Sequence, residues 1–453
     1  RFLIPLVCVY CVILTPFAFP ADTKSEGFEY HGYMRVGTGL SKNQTRASCY
    51  SLRNAGGNAF RFGNECGFYM ESLFNYNFPK ADPTDAVWFK TGLNLALMAD
   101  GIQSAQTTTQ NDFLIANREA YIDAGNAVSE GSILWVGKKF YKRRDIALFD
   151  YFLVDSWGTG GGLSEVSIGP GKFHFALMQY KSPTLFVQGT ETAASPVLTN
   201  TDWRYDWQMQ DSRLEAIILA AQKSSHPSDG KTSVLYETMR GAELGLIYIK
   251  NIEPLIQSRT FFQYGQGLFG ASVRYGNLLN GFESDGTSLV KSITSSTAKR
   301  QLDRSSTTRL AEDFVYNGLS WEGAIAALYQ VESFGGQMVG ESTAKDRTSL
   351  VAGVRPSYYL NKHWKATIDS GVVEISHNST ADNDSQKRTQ LQKNTLALQV
   401  SPKQGYFARP ALRIFVTEAS WLSSSRPYLE NITGTYADQT DGLTYGVQAE
   451  AWW

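Results

Sequence analysis

Apolar residues recur at every second position along most of this chain. In Lys172–Tyr180, Phe173, Phe175 and Leu177 share one parity while Lys172 and His174 hold the other. In Trp364–Val372, Trp364, Ala366, Ile368 and Val372 alternate with Lys365, Thr367 and Asp369. Leu396, Leu398 and Val400 fall on one face of their stretch, and Leu412, Ile414 and Val416 oppose Arg413 and Thr417. A period of two sends successive side chains to opposite sides of an extended backbone. Each stretch therefore predicts a β-strand with one apolar and one polar face. Clusters of Gly, Asn, Asp and Ser separate the stretches, as turns do. After the first 21 residues no stretch carries the long apolar period of a helix.

The last ten residues, TYGVQAEAWW, put Tyr445, Val447, Ala449, Ala451 and Trp453 on one face and Gly446, Gln448, Glu450 and Trp452 on the other. Such a terminal strand suits closure of a barrel, which removes unpaired edges from lipid. An ordinary sandwich strand is the alternative. Between strands lie long polar segments at 105–111, 182–202, 222–233, 285–306 and 380–393. Those lengths are unusual inside a compact domain. They suit the long extracellular loops of a transmembrane barrel, whose opposite turns are short.

Composition agrees. Lys+Arg total 42 and Asp+Glu 43, a net charge of −1, which argues against nucleic acid bound through a general basic field. Mean hydropathy is −0.26, which excludes a helical membrane protein but not a barrel of alternating strands. Residues 1–21, an Arg followed by an apolar run broken by Pro5 and Pro16, read as a secretory signal peptide, with a retained anchor as the alternative. Residues 22–453 then form one unit. Of the four cysteines, Cys49 and Cys66 lie outside the leader. A close pair in an exported chain reads as a disulfide, ahead of two free thiols or a metal site.

Chemistry concentrates in Trp135–Asp155, WVGKKFYKRRDIALFDYFLVD. Lys138, Lys139, Lys142, Arg143 and Arg144 stand beside Asp145, Asp150 and Asp155, interleaved with Phe140, Tyr141, Phe149, Tyr151 and Phe152. A dry core does not accept so many charges, and a solvated face has no need of so many rings. Sugars suit both, since their C–H faces stack on rings and their hydroxyls bond to charged groups. A solvated basic strand and turn is the plainer alternative. Asp145 and Asp150 could serve glycoside hydrolysis, but their setting among cations looks like an ion-pair network. The five histidines are scattered without metal spacing, and GTGGG at 158–162 reads as a turn rather than a phosphate loop. No metal or cofactor is expected.

Several blocks carry a resemblance. FEYHGYMRVGTGL (28–40), FRFGNECGFYMES (60–72), REA (118–120), WVGKKFYKRRD (135–145), VRP (354–356), ARPALRIFVT (408–417) and the final AWW resemble the maltoporin family of sugar-specific outer-membrane porins. The likeness runs in order through nearly the whole mature chain. It implies an all-β antiparallel transmembrane barrel of 18 strands, a homotrimer in the bacterial outer membrane, and a third loop folded inward as a constriction. An aromatic slide flanked by ionisable residues would carry oligosaccharides by facilitated diffusion. The resemblance assigns the slide to Tyr33, Tyr69, Phe113, Phe407 and Trp452. It assigns the polar track and constriction to Arg35, Arg61, Glu71, Arg118, Arg143, Asp145, Asp150 and Phe152, and matches Cys49 and Cys66 to a first-loop disulfide. Phe407 stands where maltodextrin-specific members have Trp, Phe152 where a Tyr would narrow the pore, and Gln257 near a lost slide aromatic. Phe113 would replace a Trp contributed by a neighbouring subunit.

Parity agrees with these roles. Tyr33 and Arg35 oppose Met34 and Val36, Tyr69 and Glu71 oppose Met70, Phe407, Arg409 and Arg413 oppose Leu412 and Ile414, and Trp452 opposes Trp453. A charge facing lipid at mid-membrane costs about 2–4 kcal/mol, so the ionisable set belongs inside. A general non-selective porin is the alternative function, and an adhesin using the loops is a further one. Neither needs aligned rings.

Overall fold

The computed structural model describes residues 26–42, 46–52, 59–80, 84–99, 114–181, 197–223, 239–252, 256–270, 305–333, 346–377, 388–430 and 439–453, with a few short pieces between them. Its main sheet has 18 strands. The first nine are β1 (Gly27–Ser41), β2 (Phe68–Asn77), β3 (Trp88–Ala99), β4 (Leu114–Gly125), β5 (Ile133–Ile146), β6 (Tyr151–Ile168), β7 (Gly171–Lys181), β8 (Val197–Gln208) and β9 (Ser212–Lys223). The others are β10 (Met239–Ile252), β11 (Ile256–Gly267), β12 (Ser306–Asn317), β13 (Trp321–Ser333), β14 (Arg347–Tyr359), β15 (Trp364–His377), β16 (Arg388–Val400), β17 (Ala411–Trp421) and β18 (Asp441–Trp452). Each pairs antiparallel with its chain neighbours. The ring closes at β1, where Tyr33 lies opposite Glu71 of β2 on one side and Trp452 of β18 on the other. At one rim the connections are short, as at 169–170, 209–211 and 318–320; at the other they are long, as at 182–196 and 268–305.

The alternation read from the sequence sorts lipid from bore. In β17, Leu412, Ile414 and Val416 are 56%, 61% and 44% exposed, while Arg413 and Phe415 are each 4% exposed. Apolar side chains outside and charged ones inside invert a water-soluble surface. Outward rings gather near the short-turn rim, where Tyr30 stacks on Phe74 at 5.2 Å and Trp321 meets Tyr358 at 4.7 Å. Aromatic girdles occur at such interfaces. Among the described residues no helix is long and apolar enough to cross a membrane.

Among the described residues, three pieces fold into the bore. The first is the β5–β6 hairpin. β5 pairs with β4 only as far as Lys138 opposite Ala120, then runs on to Ile146 paired with β6 alone. Freed from the wall, the hairpin turns inward as the expected constriction. Its tip buries Ile146, Leu148, Phe149 and Leu153 in one cluster with Leu219 of β9, Ile247 of β10, Phe261 of β11, Leu328 of β13 and Val351 of β14. Arg204 of β8 clasps its base, donating to the carbonyls of Lys142 (2.6 Å) and Tyr141 (3.2 Å). Asp202 and Glu215 neutralise that buried guanidinium, and Glu215 also holds Arg144 at 2.8 Å.

The second piece is the first loop, closed by the expected Cys49–Cys66 disulfide. Phe60 meets Phe149 edge-on at 5.6 Å. It fills a socket over Gly353 and Gly371, paired glycines of β14 and β15 where any Cβ would strike its ring. Phe62 lies under Arg413 (4.3 Å) and Arg355 (4.6 Å). The third piece is 401–410, rising from the short-turn rim. The Tyr406 N–H donates to Asn317 Oδ1 (2.8 Å), and its hydroxyl accepts from Arg355 (3.2 Å). Phe407 and Arg409 belong to this turn and not to a strand, so a turn's fold, rather than strand alternation, sets where they point. The leader and Phe113 lie outside the described residues.

Candidate functional site

Three adjacent strands place three rings in a line on the inner wall. Tyr69 of β2 lies 6.0 Å from Tyr33 of β1, which stacks at 6.5 Å on Trp452 of β18. The register causes this, because Arg35 opposes Tyr69 and Tyr33 opposes Trp452, all on the face away from lipid. Arg35 sits over Tyr69 at 5.3 Å and Arg409 over Trp452 at 4.3 Å. Phe407 packs edge-on against Tyr406 at 4.9 Å and lies against the buried cluster of Val315, Ala324 and Tyr406, which Ala147 of the hairpin tip also meets.

Ion pairs flank the rings. Arg61 donates to Glu65 (2.8 Å) and to Asp150 of the hairpin tip (2.6 Å), stitching the two inward pieces together. Glu65 also meets Arg35 (3.5 Å) and accepts from Gln448 (2.6 Å). Burial pushes the Glu65 carboxyl above the usual carboxylate range, and the Arg61 charge pulls against that. Glu450 accepts from the Tyr33 hydroxyl (3.2 Å), Arg409 (2.7 Å) and Arg413 (2.6 Å). Glu71 accepts from the Tyr69 hydroxyl and from Asn94 (2.9 Å), and faces Arg118 at 3.7 Å. Arg143 bonds Asp155 at 2.6 Å and lies over Phe152 at 3.7 Å. Asp145 sits opposite Phe152 in the hairpin register. Each of these acids, Asp145 apart, thus meets a cation, which suits a neutral polar solute better than an ion.

The structure therefore gathers Tyr33, Tyr69, Trp452, Arg35, Arg61, Glu71, Arg118, Arg143, Asp150 and Phe152 around one bore. Glu65, Glu450, Arg413 and Asp155 are hubs of the same network; the resemblance assigns none of them a role, though Asp155 stands in the charged stretch 135–155 and Arg413 shares the inward parity. Glu65 carried a signal, four residues after Arg61 in RFGNEC, and Glu450 shares the inward parity of Trp452.

A closed barrel with lipid-facing apolar positions, an inward partition and a lined bore defines an outer-membrane porin, a channel that crosses the bacterial outer membrane many times. A family model described as LamB porin matches residues 28–453, and the chain belongs to that family. It is 25% identical over 445 residues to the maltoporin of Vibrio cholerae serotype O1, strain El Tor Inaba N16961, covering 94% of each chain. It is equally similar to the maltoporin of the Classical Ogawa 395 strain. Among solved structures, OccAB2 of Acinetobacter baumannii superposes with a TM-score of 0.49 at 9% identity, over 94% of this chain and 98% of that one. OpdK of Pseudomonas aeruginosa with vanillate gives 0.46 at 8% identity, over 94% and 98%.

Proposed function

We propose that this porin carries oligosaccharides, maltodextrins or related sugars, by passive facilitated diffusion. The observation that carries the reading is the line of Tyr69, Tyr33 and Trp452 flanked by paired ions. A sugar stacks its C–H faces on the rings and exchanges hydroxyl water for Arg35, Arg118, Arg143, Glu71 and Asp150. Arg61 and Asp145 complete the polar track, Phe152 shapes the constriction, and Phe407 also meets the sugar. Each site binds weakly, so that a sugar enters and leaves. The loss of the hydroxyl at Phe152 leaves the arginines as the donors at the constriction.

The homotrimer is part of the proposal. Among the described residues, no strand pairs with 114–119 of β4 on the β5 side, and Leu114 and Ile115 are exposed there. An open backbone edge is disfavoured in lipid, which favours a second copy on this flank. Unboiled gel migration at three times the chain mass would support it, and migration as a single chain would refute it.

Single-channel recording in a planar bilayer tests transport. Saturable block of ion current by maltodextrins or sucrose is expected, weakened by Tyr69→Ala. Current indifferent to every sugar would establish a general porin instead.

A further inference from the structure

We infer that Phe140 is a positioning residue of the conduit, a phenyl spacer that holds Arg118 and Arg143 for a passing sugar; this rests on the sugar-channel reading above. By strand alternation Phe140 belongs outside. Leu134 and Val136, of the same parity in β5, are exposed on the lipid side, Val136 at 65%. But the ladder to β4 ends at Lys138. Two residues later the strand has left the wall, and the face that would have met lipid now looks onto the bore side of β4. The Phe140 N–H donates to Glu119 Oε1 at 3.0 Å. Its ring receives the Arg118 guanidinium at 4.8 Å and that of Arg143 at 4.0 Å. Arg143 continues onto Phe152 at 3.7 Å. The result is an alternating series, Arg118, Phe140, Arg143, Phe152, running from the wall into the partition.

Two like charges against one ring need a reason. Each has its own acid, reached through Nε: Glu71 for Arg118 at 3.7 Å and Asp155 for Arg143 at 2.6 Å. A guanidinium carries four further N–H groups on its two Nη atoms, which those contacts do not use. Ring contact holds the guanidinium by cation–π attraction and leaves its N–H edge for planar hydrogen bonding. Glu71 also takes the Tyr69 hydroxyl, so the series joins the aromatic line at its upper ring. A sugar stacked on Tyr69 thus meets donors already oriented, and a non-aromatic side chain at 140 would remove the ring that both arms share, leaving Arg118 with Glu71 and Arg143 with Asp155 and Phe152.

The test uses the full chain in planar bilayers with maltotriose, resolving binding and release rates from current noise. Phe140→Leu should raise the release rate about three- to tenfold, within the range cation–π contacts span, with the binding rate unchanged. Phe140→Tyr should behave as the parent protein, and sugar-free conductance and heat-resistant gel migration should not change. If Phe140→Leu loses heat-resistant migration, Phe140→Met carries the same expectation. A parental release rate in a folded non-aromatic variant, or a release rate in Phe140→Tyr as fast as in Phe140→Leu, would overturn the inference. A parent protein that conducts ions but is not blocked by maltotriose would overturn the sugar-channel reading, and this inference with it.

Discussion

On the β1, β2 and β18 side of the barrel the inward positions include Tyr33, Arg35, Tyr69, Glu71 and Trp452, all partly open to the bore. On the β9 to β14 side they include Ile217, Leu219, Ile247, Phe261, Leu328 and Val351, all buried. Both walls alternate with the same period and both face lipid with apolar residues. They differ in what covers the inner face. The hairpin and first loop press against the far wall, where burial of aliphatic surface stabilises them at about 25 cal/mol per Å². The near wall faces water and solute, where rings and ions work. The far wall is therefore apolar where the hairpin tip packs on it, with buried polar residues such as Glu215 and Gln263 beside that belt, while the near wall stays open to the bore.

Detaching the partition should have the largest effect. Phe149→Ala removes a ring shared by the hairpin tip, the first loop and the far wall, a change of about 3–5 kcal/mol for a buried Phe. Urea midpoints should fall and sugar-free conductance rise; parental conductance would mean that the tip does not limit the bore. Cys49→Ser follows. Opening the first loop should lower stability by about 3 kcal/mol in the chain-entropy model, read as a lower thermal midpoint, while the line of Tyr69, Tyr33 and Trp452 stays in register. Next comes the near wall. Trp452→Ala should weaken maltodextrin block about tenfold, or ~1.4 kcal/mol, whereas Ala326→Ser on the far wall should leave block unchanged. Equal effects from the two would erase the distinction between walls. The smallest expected effect is a pH response. The ionised Glu65 carboxylate holds Arg61 and Arg35, and burial raises its pKa above an ordinary glutamate. The ionised form is lost as pH falls through that raised value. Block should therefore weaken a few-fold on acidification before pH reaches about 4.3, and Glu65→Gln should remove the dependence.

Strand alternation made the barrel legible. Leu412, Ile414 and Val416 fell outward, and Tyr33, Tyr69 and Trp452 inward, because a period of two needs only the residue's own strand. The Cys49–Cys66 pair was legible from spacing and export. Phe140 was not, because its direction depends on where a neighbouring strand stops pairing. Nor were Phe407 and Arg409, which parity placed on a strand that begins only at Ala411. The apolar inner belt was hidden for a related reason. Ile217 and Ile247 read as strand residues, and only the hairpin packed above them explains why the bore side is aliphatic.

Arg204 holds the hairpin base by its backbone carbonyls, whatever side chains Tyr141 and Lys142 carry. A clasp of that kind fixes where the insert hangs without dictating the residues beyond it. Barrel diameter grows with the number of strands, but the calibre of this conduit is trimmed by the pendant stretch 139–158. Descendants of one eighteen-strand frame can therefore be re-gauged for new cargoes while every stave and every lipid contact stays as it is.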